Sequence, residues 1–337
     1  MKKLCIALAL LALGACSAGG GDSPTPGESA PAGERPAVTI GLTYIPDVQF
    51  APIYVAEANG YFDEAGVDVT IRHHGAQESL FGAIQAGEED IVFAGGDEMM
   101  QARSVGIDIV NWATMYQTYP ATLIVKADSG IESPADLEGK SVGLPGPYGE
   151  NYFALRAMID DYGLEGIEIE YIGYTQTTAL ATDSVDSIIG FSNNDSVAMR
   201  NAGLDIIELP LVQGDLPLIG VGLGSMEEDL DPETLAKVLG AIDRGAAYAA
   251  VDTDATLDIV QTYVPALSEA EQRAISAQVL ESTLELYMGG EEFGYQDAER
   301  WEAMAVFMEG AGLLQEPVSA TDAFTTSVLD YRTRMAE

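Results

Sequence analysis

The stretch KSVGLPGPYGENYFALRAMIDDYGL, residues 140–164, decides how the chain folds. Residues 141–144 are a short apolar run and read as a strand. Pro145, Gly146, Pro147 and Gly149 then force a turn. From Asn151 onward, Phe153, Leu155, Met158, Ile159 and Tyr162 recur at helical spacing, and Gly163 stands where a helix would be capped. A strand, a tight turn and a helix in that order aim the helix N-terminus beyond the strand's carboxyl end, where open α/β sheets take their ligands. The turn carries Tyr148, Glu150, Asn151 and Tyr152 and neither Lys nor Arg. A phosphate loop would use a lysine and more glycine. A carboxylate here suits a ligand with N–H donors, and the tyrosines suit a flat ring. The turn alone leaves a second reading open, in which Glu150 complements the helix dipole and the tyrosines only pack.

Working outward, the 337 residues allow two domains and an ample core. Residues 1–15 start with Lys2 and Lys3, continue as an apolar run too short to span a bilayer, and end in Leu13-Gly14-Ala15 before Cys16. This is the pattern of a bacterial lipoprotein signal peptide, with Cys16 as the lipidated N-terminus. Residues 16–36 are rich in Gly, Ser, Pro and Ala and read as a disordered tether. Cys5 leaves with the leader, so the mature chain has no disulfide and no thiol chemistry. The formal charge of −39 repels nucleic acid and anionic headgroups. The acids are spread along a chain that is 47% hydrophobic, which fits a folded protein adapted to a salty medium rather than an acidic tail.

Strands are expected at 38–44, 66–72, 90–94 and 107–116, with helices at 49–59, 77–85 and 99–104 between them. That βαβαβαβ rhythm implies a parallel sheet. Residues 123–126 read as a crossing strand. A second block then alternates strands (141–144, 167–172, 187–191, 205–209) with helices (from 151, 176–182, 196–201). Residues 218–223 read as a strand returning to the first half, and the pattern from Pro232 on is mostly helical. One lobe (38–122 and 218–337) therefore holds another (123–217) through two connections, which suits a hinged protein that closes on a ligand.

Tyr44-Ile45-Pro46-Asp47, Ile53-Tyr54-Val55-Ala56, Asn59-Gly60-Tyr61-Phe62, Gly95-Gly96-Asp97-Glu98, the run from Ser133 to Lys140 and the turn at 143–152 together resemble one family. It is that of the solute-binding proteins of bacterial ABC importers that includes alkanesulfonate-, nitrate- and thiamine-pyrimidine-binding proteins and pyrimidine synthases. Gln49-Phe50-Ala51-Pro52, the turn at 116–120 and residues 145–150 look most like its riboflavin-uptake branch. The resemblance implies a two-lobed α/β periplasmic-binding-protein fold, doubly wound in each lobe, with the ligand in the cleft. It further implies a monomer outside the cytoplasm, held to the membrane only by its lipid and served by permease and ATPase subunits. No cofactor, no nucleic acid and no catalysis are expected. An enzyme of the same fold is disfavoured, because the synthases it would resemble carry a cysteine-rich motif and this chain has no cysteine after Cys16.

The loops that follow strand ends, at 44–50, 73–77, 95–98, 116–119, 145–152, 174–176 and 193–195, hold Tyr, Phe, Gln, Asn, Asp and Glu but no Lys or Arg. Helix N-termini could hold a small anion such as a sulfonate or nitrate, but the loop acids oppose it. A neutral heteroaromatic ring, such as riboflavin or a thiamine pyrimidine precursor, fits better. The candidate contacts are Tyr44, Gln49, Phe50, Asp97, Glu98, Tyr116, Tyr148, Glu150, Asn151, Tyr174, Asn193 and Asn194. Each has a plainer role available: Asp97 as a helix N-cap, Asn193 and Asn194 as turn residues, Tyr116 and Tyr119 as hinge packing. His73 and His74 are adjacent on an extended segment, so they point to opposite faces and do not chelate one metal together. Trp301, among Ala303, Met304 and Phe307, reads as core.

Overall fold

The structure, a computed structural model, describes residues 35–75, 78–288 and 292–336. The leader at 1–15, the tether as far as residue 34 with Cys16, and Gln77 at the start of the helix expected at 77–85 lie outside the described residues. The first block runs β1 (Ala37–Leu42), α1 (Ala51–Ala58), α2 (Tyr61–Ala65), β2 (Asp68–His73), α3 (Gly82–Gln85), β3 (Ile91–Gly95), α4 (Gly96–Arg103) and β4 (Ile109–Thr114). The second runs β5 (Ala121–Lys126), β6 (Ser141–Leu144), α5 (Gly149–Tyr162), β7 (Glu168–Tyr171), α6 (Gln176–Ala181), β8 (Ser187–Phe191), α7 (Asp195–Asn201) and β9 (Ile206–Leu209). The chain returns as β10 (Val221–Met226). It then continues as α8 (Pro232–Val251), α9 (Thr253–Val260), α10 (Ala270–Tyr287), α11 (Ala298–Gly310), α12 (Ala320–Ala323) and α13 (Ser327–Ala336).

The strands form two five-stranded sheets, ordered β2-β1-β3-β10-β4 and β7-β6-β8-β5-β9. The expectation of a parallel first sheet holds for β2-β1-β3 and fails at the other edge. There β10 runs antiparallel to both β3 and β4, its Leu223 opposite Phe93 on one side and Ala113 on the other. The cause is the second connection, which brings the chain back from the opposite direction into the slot between β3 and β4. The second sheet repeats the device, with β5 antiparallel to β8 and β9. Every residue of β3 and β4 is buried, as the unbroken apolar run IVFAG and the nearly unbroken IVNWAT require of strands covered on both faces.

Apolar seams tie the layers together. α1 packs on α8 where Gly245 faces the Pro52 carbonyl so closely that a Cβ on Gly245 would lie 2.0 Å from that oxygen. Tyr54 of α1 stacks on Tyr263 with ring centroids 3.8 Å apart. Trp301, Met304 and Met308 of α11, with Met100 of α4, pack into the core of the second sheet against residues such as Phe153 and Met158. Trp301 is fully buried. In return, Val197 of α7 packs into the core of the first sheet. Fully burying one such side chain is worth roughly 1.5–3 kcal/mol, so both sets hold the lobes together. A buried amide organises the polar part of this seam. Gln296 donates to Asn111 Oδ1 (2.7 Å) and accepts from Thr114 Oγ1 (2.9 Å) and Trp301 Nε1 (2.8 Å). The two connections between the sheets run side by side, with the backbone N–H of both Met115 and Tyr116 donating to the Val221 carbonyl.

Candidate functional site

The turn at 145–148 delivers α5 with Glu150 and Asn151 in its first turn, and the helix ends at Gly163 in the left-handed conformation (φ 62°). Facing it across the cleft, β3 passes directly into α4. Gly95, not Asp97, is the N-cap residue, and Asp97 and Glu98 lie in the first helical turn. A Cβ at Gly95 would meet Asp97 Oδ1 at 2.5 Å, Glu98 Oε2 at 3.1 Å and Glu150 Cγ at 3.2 Å, so the bare backbone here makes room for the three acid side chains. The missing side chain is what lets Glu150 from the second lobe approach the acidic turn of the first.

Three carboxyl groups therefore converge. Asp97 is fully buried, and its Oδ1 accepts from the Glu98 amide at 2.7 Å. Glu98 Oε2 accepts from the Gly95 amide at 3.0 Å. Glu150 is buried, and its Oε1 has no hydrogen-bond partner. Burial pushes all three up from the usual carboxylate range, and their mutual repulsion pushes Asp97 and Glu150 further; Glu98 rises to about 7. Among the described residues no Lys or Arg pairs with any of them, and no group of His, Cys, Asp and Glu is arranged to hold a metal ion. The Tyr119 hydroxyl, from the connection between β4 and β5, lies 2.6 Å from Asp97 Oδ2 and 3.0 Å from the Glu150 carbonyl.

Aromatic side chains wall the acids. Tyr116 and Tyr287 meet edge to face at 5.2 Å, and both hydroxyls are buried without a partner. Burial, with each other's and Glu150's charge, pushes the Tyr116 phenol up. Phe50, also a candidate from sequence, is 2% exposed and packs between Tyr54, His73 and Phe93, so it backs the wall from within the core. Gln49 donates its backbone N–H to Asp47 Oδ1 in the turn that starts α1. Tyr44, Tyr148 and Tyr174 form an exposed rim, Tyr174 hydrogen-bonding Tyr148 with Tyr44 and Glu98 nearby. On α7's approach, Asn193 donates to Thr283 Oγ1 of α10 at 2.9 Å and leaves its own Oδ1 unpartnered, while Asn194 precedes the helix as its cap. Asn151 Oδ1 is likewise buried and unpartnered. His73 and His74 part as adjacent strand residues do: His73 meets Tyr54 and the Tyr44 carbonyl, while His74 meets buried Glu89.

The structure thus brings Asp97, Glu98, Tyr116 and Glu150 together, with Tyr44, Tyr148 and Tyr174 on the exposed side and Phe50 behind. Tyr119 reads from sequence as hinge packing and proves polar. Tyr287 and Thr283 are not legible as site residues, because they sit inside a long helix whose spacing only says that one face is buried. The set is rich in acceptors, in carboxyl groups that burial pushes up from their usual range, and in aromatic faces, and among the described residues no Lys or Arg pairs with its acids.

With that geometry in hand, the comparisons are specific. The NMT1/THI5-like family matches residues 47–255. The riboflavin-binding protein RibY of Chloroflexus aurantiacus is 30% identical over 94% of this chain and 94% of its own length. A formylaminopyrimidine-binding protein of Halalkalibacterium halodurans is 26% identical, covering 86% of this chain and 89% of its own. Among solved structures, the periplasmic aliphatic sulphonate binding protein SsuA of Escherichia coli superposes with a TM-score of 0.67 at 16% identity, over 85% of this chain and 91% of its own. The last likeness is one of fold: two lobes of α/β structure facing a cleft.

Proposed function

The chain belongs to the NMT1/THI5-like family, and from that premise we propose that it is the extracytoplasmic solute-binding protein of an ABC importer, taking a flavin- or pyrimidine-type ring between its lobes. The observation that carries the reading is Glu150 Oε1, a buried carboxyl oxygen without a partner, beside Asp97 and Glu98 and under the unpartnered hydroxyls of Tyr116 and Tyr287. A buried carboxyl is costly unless a donor meets it, and a ring N–H is such a donor. The ring would lie against Tyr116 and the rim tyrosines Tyr44, Tyr148 and Tyr174. Asn151, Asn193 and Asn194 would meet its carbonyl edges. A sulfonate or nitrate is disfavoured by three carboxyl groups with no cation to offset them. Binding without turnover is favoured by the names of the relatives with the longest matches, both binding proteins. Anchoring through Cys16 completes the proposal.

The test is titration of riboflavin, an aminopyrimidine and a short alkanesulfonate against the wild type and Glu150→Gln. A ring N–H would hold the bound Glu150 as the carboxylate that burial disfavours in the free protein; losing that charge-assisted hydrogen bond costs on the order of 1.5–3 kcal/mol, so the variant should bind the preferred ring roughly ten- to a hundred-fold more weakly. Tight sulfonate binding by the wild type, or equal ring affinity in both proteins, refutes the reading.

A further inference from the structure

The hydroxyl of Tyr119 has more acceptors than protons. It lies 3.0 Å from the Glu150 carbonyl, which can only accept, and 2.6 Å from Asp97 Oδ2. One phenolic proton serves one of these contacts. The other needs a proton from elsewhere, and the carbonyl has none. Asp97 Oδ1 already accepts the Glu98 amide at 2.7 Å, so a proton carried by this carboxyl belongs on Oδ2.

We propose that Asp97 is held as a neutral acid whose proton completes a relay, Asp97 Oδ2–H to Tyr119 Oη and Tyr119 O–H to the Glu150 carbonyl, and that this relay latches the two lobes on each other. The three residues come from three places: α4 under the first sheet, the connection between the sheets, and α5 on the second sheet. The latch therefore spans the cleft, and it fixes the first turn of α5, from which the Glu150 side chain reaches inward. Asp97 and Tyr119 are positioning residues in this scheme, and Glu150 is left to meet the ligand. This last consequence rests on the function proposed above; the latch does not.

The surroundings favour the neutral acid. Glu98 faces Asp97 from its own helix and Glu150 from α5, and Tyr116 adds a phenol from the connection. α12 packs on α4 through Ala320 and Ala323, with its Asp322 exposed. α11 brings the Trp301 ring against Gly96. Among the described residues no cation pairs with the acid turn. Burial and the Glu98 charge push the Asp97 acid up and outweigh the contacts with Tyr119 and the backbone amides of Asp97 and Glu98, which favour the carboxylate. Raising the pH removes the proton. The ionised carboxylate then claims the Tyr119 proton, the Glu150 carbonyl keeps only its bond within α5, and a further charge joins the acid cluster.

The experiment pairs two variants of the full chain with two readouts. In Asp97→Asn, the amide nitrogen can donate to Tyr119 and the amide oxygen can accept from Glu98, so the relay is kept without a titratable proton. Tyr119→Phe removes the relay at every pH. Infrared spectra of the ligand-free protein near neutral pH should show a carboxylic-acid C=O band that Asp97→Asn removes. Riboflavin titrations should show wild-type affinity falling from about pH 6 to about pH 9. Asp97→Asn should lose a smaller fraction of its own acid-end affinity over that range than the wild type does, and Tyr119→Phe should be weaker throughout by roughly three- to tenfold. An acid band unchanged by Asp97→Asn overturns the proposal, as does a pH dependence in folded Asp97→Asn as steep as that of the wild type. If riboflavin does not bind at all, the functional reading fails, while the infrared band and the small-angle scattering of ligand-free protein still decide the latch: Tyr119→Phe should open the lobes at the acid end, and a profile identical to the wild type's refutes it.

Discussion

Replacing Glu98 by Gln should make the ligand-free protein more stable in neutral and alkaline solution, and the size of the gain follows from where the carboxyl sits. Burial carries Glu98 from an ordinary 4.5 to about 7, a displacement of about 2.5 pH units, and each pH unit is worth about 1.36 kcal/mol. The folded state therefore holds a proton that the unfolded chain has already released, and stability falls as pH rises through that window. The full displacement corresponds to about 3 kcal/mol; Glu98 is not wholly shielded from solvent, so about 2 kcal/mol is the expected loss. Above about pH 7 both states are ionised and this loss is complete. Asp195, half-buried and raised to about 6, acts in the same direction over a lower window. The assay is urea unfolding from about pH 5 to about pH 8 in about 1 M salt, which shortens the screening length to about 3 Å and removes the general repulsion of a chain with formal charge −39. Exposed Glu302→Gln controls for the loss of one charge. Wild type and Glu302→Gln should lose stability together across the window, and Glu98→Gln should lose about 2 kcal/mol less. Stability that is flat or rises with pH in the wild type, or a Glu98→Gln curve parallel to it, refutes the account of the acid turn.

Other perturbations test the frame around the cleft. Gly245→Ala drives a methyl onto the Pro52 carbonyl at the contact between α1 and α8 and should cost about 1–3 kcal/mol in urea unfolding with the cleft residues untouched. Gln296→Leu orphans the Trp301 indole N–H, the Thr114 hydroxyl and the Asn111 amide oxygen together; at about 1–3 kcal/mol for each unsatisfied group, the melting temperature should fall by roughly 5–14 degrees if the three costs add, and by about 2–5 if only one survives relaxation. Cys16→Ser should move the protein from the membrane fraction to the soluble one, and protein that stays with the membrane disproves the lipid anchor.

Much of the architecture was written in local patterns. Strand, turn and helix at 141–163 appear as read, because proline and glycine fix the backbone without help from distant residues. The return to the first sheet was also legible as an apolar run, expected at 218–223 and found three residues on at Val221–Met226. Its direction was not, since periodicity is the same for a strand read either way, and the antiparallel insertion between β3 and β4 is settled by tertiary packing. The cleft divides along the same line. Asp97, Glu98, Tyr148 and Glu150 stand out in sequence because polar and aromatic residues crowd loops at strand ends, where local rules predict solvent and turn chemistry. What those loops face comes from chain more than 100 residues away, where Thr283 and Tyr287 occupy α10 at positions that a buried helical face requires in any case. The protonation of the site lies further still from the sequence. An Asp-Glu pair in a first helical turn ordinarily stays ionised and favours the helix. Here a third carboxyl arrives from another helix, admitted by the bare backbone at Gly95, and a tyrosine with one proton stands between two acceptors. The same two residues that stabilise α4 as anions in an exposed helix become, once enclosed, groups whose charge burial disfavours.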